Sequence, residues 1–337
     1  MRAAVFKEGG KPWVLETVAD PTPGPGEAVI KVCRCGICGS DVHMTSGHGM
    51  DYAPGTIPGH EFAGEVVAVA GDVTSLKIGD RVTAMPATGC GNCVACLSGY
   101  PLGCNSMQGM VGGFGEYMRV SANASVRLPA SLSMTDGALV EPLAVGLHGV
   151  KLAGPLANAR VLVIGSGAIG LSAIYWARRL GAGRIVAASP STRRRDLAMS
   201  MGADAFETLG EDASARINSA LGGMPEVVLE CAGAPGVLAQ SVELAGPGAT
   251  IVSLGFCTSP DPVIPAMATF KRVTIRFSFA YGLSEFQHAA DCLDRGWVEP
   301  RVMVTGLIGL NALPDMIEAM RHGKAGSATK VHVDPWG

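Results

Sequence analysis

The spacing of apolar positions divides the chain into two regimes. Up to about residue 142, short β-type runs at 28–32, 63–69 and 81–84 are separated by close-set turn signals, such as Pro23-Gly24-Pro25-Gly26 and Gly79-Asp80. Short strands punctuated in this way predict an all-β, barrel-like module. From about residue 160 the pattern changes. Val161-Leu162-Val163-Ile164 is an unbroken apolar run, fit for a strand buried on both faces. Residues 168–180 carry apolar side chains at Ile169, Ala173, Ala177 and Leu180, a helical period. A strand at 184–188, a helix at 191–201, a strand at 226–230, a helix at 236–244 and strands at 249–254 and 273–279 follow. That alternation predicts a parallel, doubly wound sheet, hence an α/β fold with the β-barrel-like module beside it. The tail is mixed, with helices near 283–293 and 313–321 and a strand at 330–333. No long repeat or low-complexity tract interrupts the chain, and the short connections predict two domains sharing an interface.

Composition narrows the function classes. Of 337 residues, 48% are hydrophobic and 16% charged, enough apolar material for two cores and too much for disorder. The formal net charge of −3 argues against a dedicated nucleic-acid binder. No run of 18 or more uncharged apolar residues is present, so no membrane span is expected. The start, Met-Arg-Ala-Ala-Val-Phe-Lys-Glu-Gly-Gly, lacks an apolar signal region and predicts a cytoplasmic protein. In that compartment the ten cysteines are not a disulfide framework. Seven of them fall within residues 33–104, a clustering that points to metal.

Gly165-Ser166-Gly167-Ala168-Ile169-Gly170 is a G-x-G-x-x-G that directly follows a predicted strand and opens a predicted helix. The first glycine permits the tight turn, the second lets a pyrophosphate approach the backbone, and the third lets helix pack on strand. The helix N-terminus offers unpaired N–H groups to the phosphates. Leu254, closing the 249–254 strand, is counted with Gly165, Gly167, Ala168, Ile169 and Gly170 as a coenzyme-binding position. The acid that would hold an adenosine ribose 2′-OH is missing: Ser189 stands where it is expected, and Asp196 falls inside the next helix. Arg193, Arg194 and Arg195 follow instead. A missing acid with arginines nearby suits a ribose 2′-phosphate, so Ser189, Arg193 and Arg194 predict NADP(H) in preference to NAD(H). The alternative is a solvated helix start, and Arg195 fits that description.

Two constellations suggest metal. Cys90, Cys93, Cys96 and Cys104 form C-x2-C-x2-C-x7-C, the donor set of a closed tetrahedral structural zinc site. The second set is dispersed. Cys38, Ser40 and His43 lie in Cys35-Gly36-Ile37-Cys38-Gly39-Ser40-Asp41-Val42-His43, with His60-Glu61 and Val140-Glu141-Pro142 further on. Spacing alone does not join these three pieces.

The fragments CGICGSDVH, PGHEFAGEVVAVAGDVTSLKIGDRV, CGNCVACLSGYPLGC, GGFGEY, VEPLAVGLHGV and VLVIGSGAIGLSAIYWARRLGA, in that order, make the chain resemble the zinc-dependent medium-chain alcohol dehydrogenases. The nearest branch is that of sorbitol, threonine and butanediol dehydrogenases. The resemblance implies a GroES-like catalytic domain over 1–142 with a structural-zinc lobe at about 89–105, a Rossmann domain over 143–280, and a return to the catalytic domain over 281–337. It implies two zinc ions per chain. Cys38 and His60 would ligate the catalytic one, with Glu61 and Glu141 as carboxylate ligands, direct or through water. Asp41 would orient His60, and Lys330 would lie on the coenzyme phosphates. Ser40 would take the alcohol's proton and pass it, through the coenzyme ribose, to His43. The expected substrate is a neutral secondary alcohol, vicinal diol or ketone. Tyr52, Met50, Phe114 and Met110 are candidate lining residues, with ordinary packing as the alternative. The expected assembly is a homodimer or homotetramer through the Rossmann domains, where strands at 249–256 and 273–279 could extend a sheet between subunits. Rival readings are an NAD-dependent threonine or polyol dehydrogenase, a zinc-free quinone or enoyl reductase, and a nucleotide-binding redox sensor.

Overall fold

The computed structural model describes residues 1–337. The chain divides into two compact units, Met1–Glu141 with Gly282–Gly337, and Pro142–Tyr281.

In the first unit a largely antiparallel seven-stranded sheet runs in the order Val304–Gly309, Lys330–Asp334, Glu27–Gly36, Glu61–Val69, Arg81–Ala84 and Ser125–Arg127, with Tyr117–Ser121 also paired to Glu27–Gly36. Its register sets Gly36 opposite both Glu61 and His332. Phe6, Trp13, Ile30, Phe62 and Phe114 fill the core together with Leu313, Ile317, Val331 and Val333. The last 56 residues therefore belong to the same hydrophobic core as the first 141, which fixes the return of the chain energetically.

The second unit is a six-stranded parallel sheet. Its order is Ala205–Thr208, Arg184–Ser189, Arg160–Ile164, Val227–Glu230, Thr250–Ser253 and Thr274–Phe277. In chain order this is 3-2-1-4-5-6, and ligands of such sheets bind beyond the strand C-termini where the order reverses, here at Ile164. Leu162, Ile164, Val186, Ala188, Val228 and Ile251 form the centre of its core.

Three features differ from the sequence pattern. The predicted helix at 191–201 is broken: a 3₁₀ turn, Thr192–Arg194, precedes the helix Arg195–Ser200, with Arg194 at φ −115°, ψ 19° between them. The preceding Pro190, Ser191 and Thr192 favour turns over helix. A 19-residue helix, Met134–Leu152, runs through Glu141 and carries Pro142 inside it. Most of its residues from Ala138 on are buried, so it lacks the polar face that periodicity detects. Finally, Ala205–Thr208 adds a sixth parallel strand.

The Met134–Leu152 helix starts on a reciprocal cap. Asp136 Oδ2 accepts from the Ser133 N–H (2.8 Å) and hydroxyl (2.7 Å), and Ser133 Oγ accepts from the Asp136 N–H (3.1 Å). Arg301, from the returning segment, donates to both Asp136 oxygens at 2.7 and 2.9 Å. Burial would raise this carboxyl, but Arg301 and Ser133 outweigh it and hold it below the ordinary range. A depressed carboxylate stabilises the fold above its unfolded value of about 3.9, and the contribution fades as pH falls through the lower folded value. Asp136→Asn is therefore expected to cost about 2 kcal/mol near neutrality. The gap from wild type should narrow in acid when unfolding is followed against pH. A gap that is the same at neutral pH and well below the carboxylate range contradicts this role.

Candidate functional site

Cys38 stands at the N-terminus of a one-turn helix, Gly39–His43. Asp41 shapes this turn, accepting the Cys38 N–H on Oδ2 at 3.0 Å. Its other oxygen lies 3.4 Å from His60 Nδ1, an ionic contact longer than a good hydrogen bond. Thr45 donates to the Asp41 carbonyl at 2.7 Å, and Arg321 holds the Thr45 carbonyl at 2.9 Å. His60 enters from Gly59, whose φ of +97° and close contacts with Cys35 and Phe114 require glycine. Glu61 follows as the first residue of its strand and is fully buried.

This arrangement brings the donor atoms of Cys38, His60 and Glu61 within 4.8 Å of one another. Glu141, the fourth expected ligand, is buried on the Met134–Leu152 helix, and its charge acts on Lys330. The structure differs from expectation at Lys330 itself. Its ammonium, 2% exposed, lies 2.5 Å from both Glu61 oxygens and 3.1 Å from the Ile37 carbonyl. A buried ammonium needs a counter-charge, and Glu61, two strands away beyond Glu27–Gly36, supplies it instead of coenzyme phosphate. Burial alone would lower Lys330, but Glu61, Cys38 and Glu141 together raise it.

The cluster fits a divalent cation of the zinc type by its chemistry, with thiolate, imidazole and carboxylate donors and a carboxylate behind the imidazole. Burial would push His60 down, yet Asp41 and Cys38 hold it well above its ordinary value. The pocket thus favours positive charge at that spot, as a proton or as a metal ion. Ser40 and His43, three residues apart, share one side of the short helix, with His43 exposed.

The second cysteine set also converges, its four sulfurs lying within 4.8 Å of one another. The N–H groups of Asn92 and Cys93 pull the Cys90 thiol down to about 6, and those of Cys90 and Ser106 lower Cys104. Cys96, despite the Gly91 N–H, is pushed up to about 11 by burial and by its neighbouring sulfurs. Four thiolates this close repel one another until a cation compensates them, the condition of a closed zinc site. Gly89 leaves room for Cys96, since a Cβ there would sit 2.5 Å from its sulfur.

In the other unit the three loop glycines have separable roles. Gly165 turns at φ +94°, and a Cβ on it would meet the Ala232 nitrogen at 2.8 Å. A Cβ on Gly170 would overlap the Gly165 carbonyl at 1.8 Å. A Cβ on Gly167 would meet nothing, so this glycine keeps a space open at the N-terminus of Ala168–Arg179. Ser189 ties its strand to the loop: its Oγ accepts the Ser166 N–H at 3.1 Å and bonds the Ser166 hydroxyl at 3.2 Å. Arg193 Nε donates to Ser191 Oγ at 3.3 Å. Arg194 is lowered by burial and by the Arg193 charge, an environment that a bound anion would reverse. Leu254 is 9% exposed, and its side chain fills the space over Gly149, a packing role.

One residue escaped sequence reasoning. Glu230, 3% exposed, accepts the N–H groups of Ala232 (2.7 Å) and Gly233 (2.8 Å) and the Ser253 hydroxyl (2.9 Å). It knots the loops around Gly165 and Gly255. Its only signal was an acid ending an apolar strand, VVLE.

Of the candidate lining residues, Phe114 and Met110 are core, at 0% and 6% exposure, and Met50 is on the surface at 54%. Tyr52 alone is partly buried, packed against the core cluster that contains Cys35 and Ile37.

The glycine roles make opposite demands. Gly170→Ala should lower the melting temperature by collision with Gly165. Gly167→Ala should leave stability nearly unchanged while weakening coenzyme binding at least about tenfold by closing the phosphate approach. Thermal melts with a fluorescence titration of the reduced coenzyme separate them. Full-affinity binding by Gly167→Ala contradicts the assignment.

Comparison with known proteins agrees with this geometry. Residues 24–130 match the family model of the alcohol dehydrogenase GroES-like domain, and residues 168–295 that of the zinc-binding dehydrogenases. Sorbitol dehydrogenase of Gallus gallus is 35% identical over 281 residues, covering 79% of each chain. A zinc-binding dehydrogenase of Sinorhizobium meliloti 1021, solved bound to NADP, superposes with a TM-score of 0.88 at 32% identity, over 99% of both chains. An alcohol dehydrogenase of Escherichia coli CFT073, solved with NADH, gives 0.87 at 28% identity, over 99% of both chains. The chain belongs to the zinc-dependent medium-chain alcohol dehydrogenases.

Proposed function

We propose that this oxidoreductase interconverts a neutral secondary alcohol or diol and its ketone, exchanging hydride with NADP(H) in preference to NAD(H). The observation that carries the reaction is the convergence of Cys38, His60 and Glu61 beside the helix bearing Ser40 and His43. Bound there, zinc supplies Lewis acidity toward the substrate oxygen. Cys38 and His60 hold it, with Glu61 and Glu141 as the carboxylate ligands. Asp41 fixes the imidazole through Nδ1 and leaves Nε2 as the ligand atom. Ser40 Oγ accepts the proton as the alcohol is oxidised and passes it to His43, whose exposed ring exchanges it with solvent. Cys90, Cys93, Cys96 and Cys104 hold a second, structural zinc.

The coenzyme preference rests on Ser189 in place of an acid and on Arg193 and Arg194 just beyond it. A 2′-phosphate beside Arg194 would offset the Arg193 repulsion. The solved relatives carry NADP in one case and NADH in another, so this preference belongs to the chain's own residues.

The Rossmann unit bears an apolar edge, with Phe270, Phe277 and Phe279 at 86, 71 and 63% exposure beside the edge strand Thr274–Phe277. We infer a homodimer or homotetramer formed through this edge, a state that light scattering reads directly. No helix is long and apolar enough to cross a membrane. We infer a cytoplasmic protein, a reducing compartment in which the clustered cysteines stay available to metal.

Steady-state kinetics with both coenzymes, over a panel of secondary alcohols, diols and ketones, tests the reading. Wild type should favour NADP by at least about tenfold in kcat/KM, since two charge-assisted contacts are at stake. Arg193→Ala/Arg194→Ala should lose that preference while NAD turnover persists. Comparable use of both coenzymes by wild type contradicts the 2′-phosphate site. A preference for NAD with threonine or a sugar alcohol would install the alternative dehydrogenase instead.

A further inference from the structure

The segment after the Gly39–His43 helix folds back over it. Asp51 Oδ1 accepts the Gly47 N–H at 2.9 Å. Tyr52 donates its N–H to the Met44 carbonyl at 2.9 Å, and Met44 donates its own to the Ser40 carbonyl at 2.8 Å. Tyr52 is thereby coupled through two backbone hydrogen bonds to Ser40, and it packs against the core cluster of the unit, of which Cys35 and Ile37 are members.

The charged and titratable groups that act on its phenol are Asp41, His60 and Cys38 of the metal site and the core thiol Cys35. Burial first, then the Asp41 charge, pushes the phenol above its ordinary value, so it stays protonated at any working pH. The hydroxyl can then both donate and accept. No side chain or backbone group takes it up as a hydrogen-bond partner, and it is not among the side-chain atoms sealed from solvent without a partner. If Tyr52 served packing alone, phenylalanine would fill the same space with no polar group to satisfy.

We propose that Tyr52 is a specificity-determining residue: its hydroxyl hydrogen-bonds a second hydroxyl on substrates whose reacting carbon lies at Cys38 and His60, so that vicinal diols and polyols are preferred over simple secondary alcohols. This deepens the dehydrogenase reading and rests on it. A site with a positioned hydrogen-bonding group rejects the analogue that lacks the matching group, because the group is then left without its partner.

The test compares wild type and Tyr52→Phe, both zinc-loaded, on 2,3-butanediol and 2-butanol with the preferred coenzyme. Turnover is joined by the dissociation constant of the diol from enzyme saturated with reduced coenzyme, a complex that cannot react. Tyr52→Phe should lose about tenfold in kcat/KM and in affinity for the diol, with 2-butanol changed less than twofold. Equal loss on both alcohols would mean the phenol serves the reacting oxygen, and no loss on either would mean it only packs; each overturns the proposal. Wild type that handles 2-butanol as well as the diol also overturns it, while leaving the dehydrogenase reading standing. Wild type that oxidises no alcohol and reduces no ketone sinks both.

Discussion

Glu61 is a carboxylate with no exposed surface, and its neutralisation organises the catalytic unit. An uncompensated charge in that position would cost several kcal/mol. The compensating ammonium comes from Lys330, 269 residues away in sequence. The strand Lys330–Asp334 delivers it by pairing with Glu27–Gly36, and that pairing requires the chain to return after the Rossmann unit. Gly36 is glycine for the same reason, since a Cβ there would lie 2.2 Å from a Glu61 oxygen. The pocket nevertheless remains rich in anionic donors. Cys38, Asp41 and Glu141 add to Glu61, and both His60 and Lys330 are raised by their company. A divalent cation held by Cys38 and His60 would complete the balance that one lysine begins.

Much of the nucleotide unit was legible because glycine reports backbone geometry directly. The three glycines of the loop have the three environments that their spacing predicts: a positive φ at Gly165, open space at Gly167 and direct overlap at Gly170. The cysteine loop was legible because four thiols at short spacing converge in any fold that closes the loop. Lys330 was not, because its partner is set by strand register, which no local pattern encodes. The Met134–Leu152 helix was hidden by its buried length and by Pro142. The break at Arg194 was hidden because arginines are good helix formers, and only the turn-favouring residues before them argued otherwise.

The two units solve different electrostatic problems with the same economy of means. In the catalytic unit, cations offset buried donors. In the Rossmann unit, backbone N–H groups do so: Glu230 is held by two of them and a serine hydroxyl, without a cation among its hydrogen-bond partners. The loop carrying Gly165 packs directly on the turn that Glu230 secures. Outside these knots the residues proposed to choose ligands are exposed, as Arg193 is, or partly buried, as Arg194 and Tyr52 are. The scaffold is over-determined, and the choice of ligand lies at its margins.

The central claim is that Cys38 and His60 hold a zinc ion on which turnover depends, separate from the one in the cysteine loop. The most direct measurement is zinc per chain by mass spectrometry, in wild type and Cys38→Ser, alongside turnover and reduced-coenzyme binding. The account requires two zinc ions in wild type, and one in Cys38→Ser with turnover abolished and coenzyme binding intact. Full turnover by Cys38→Ser, or by wild type carrying a single zinc in the cysteine loop, would contradict it.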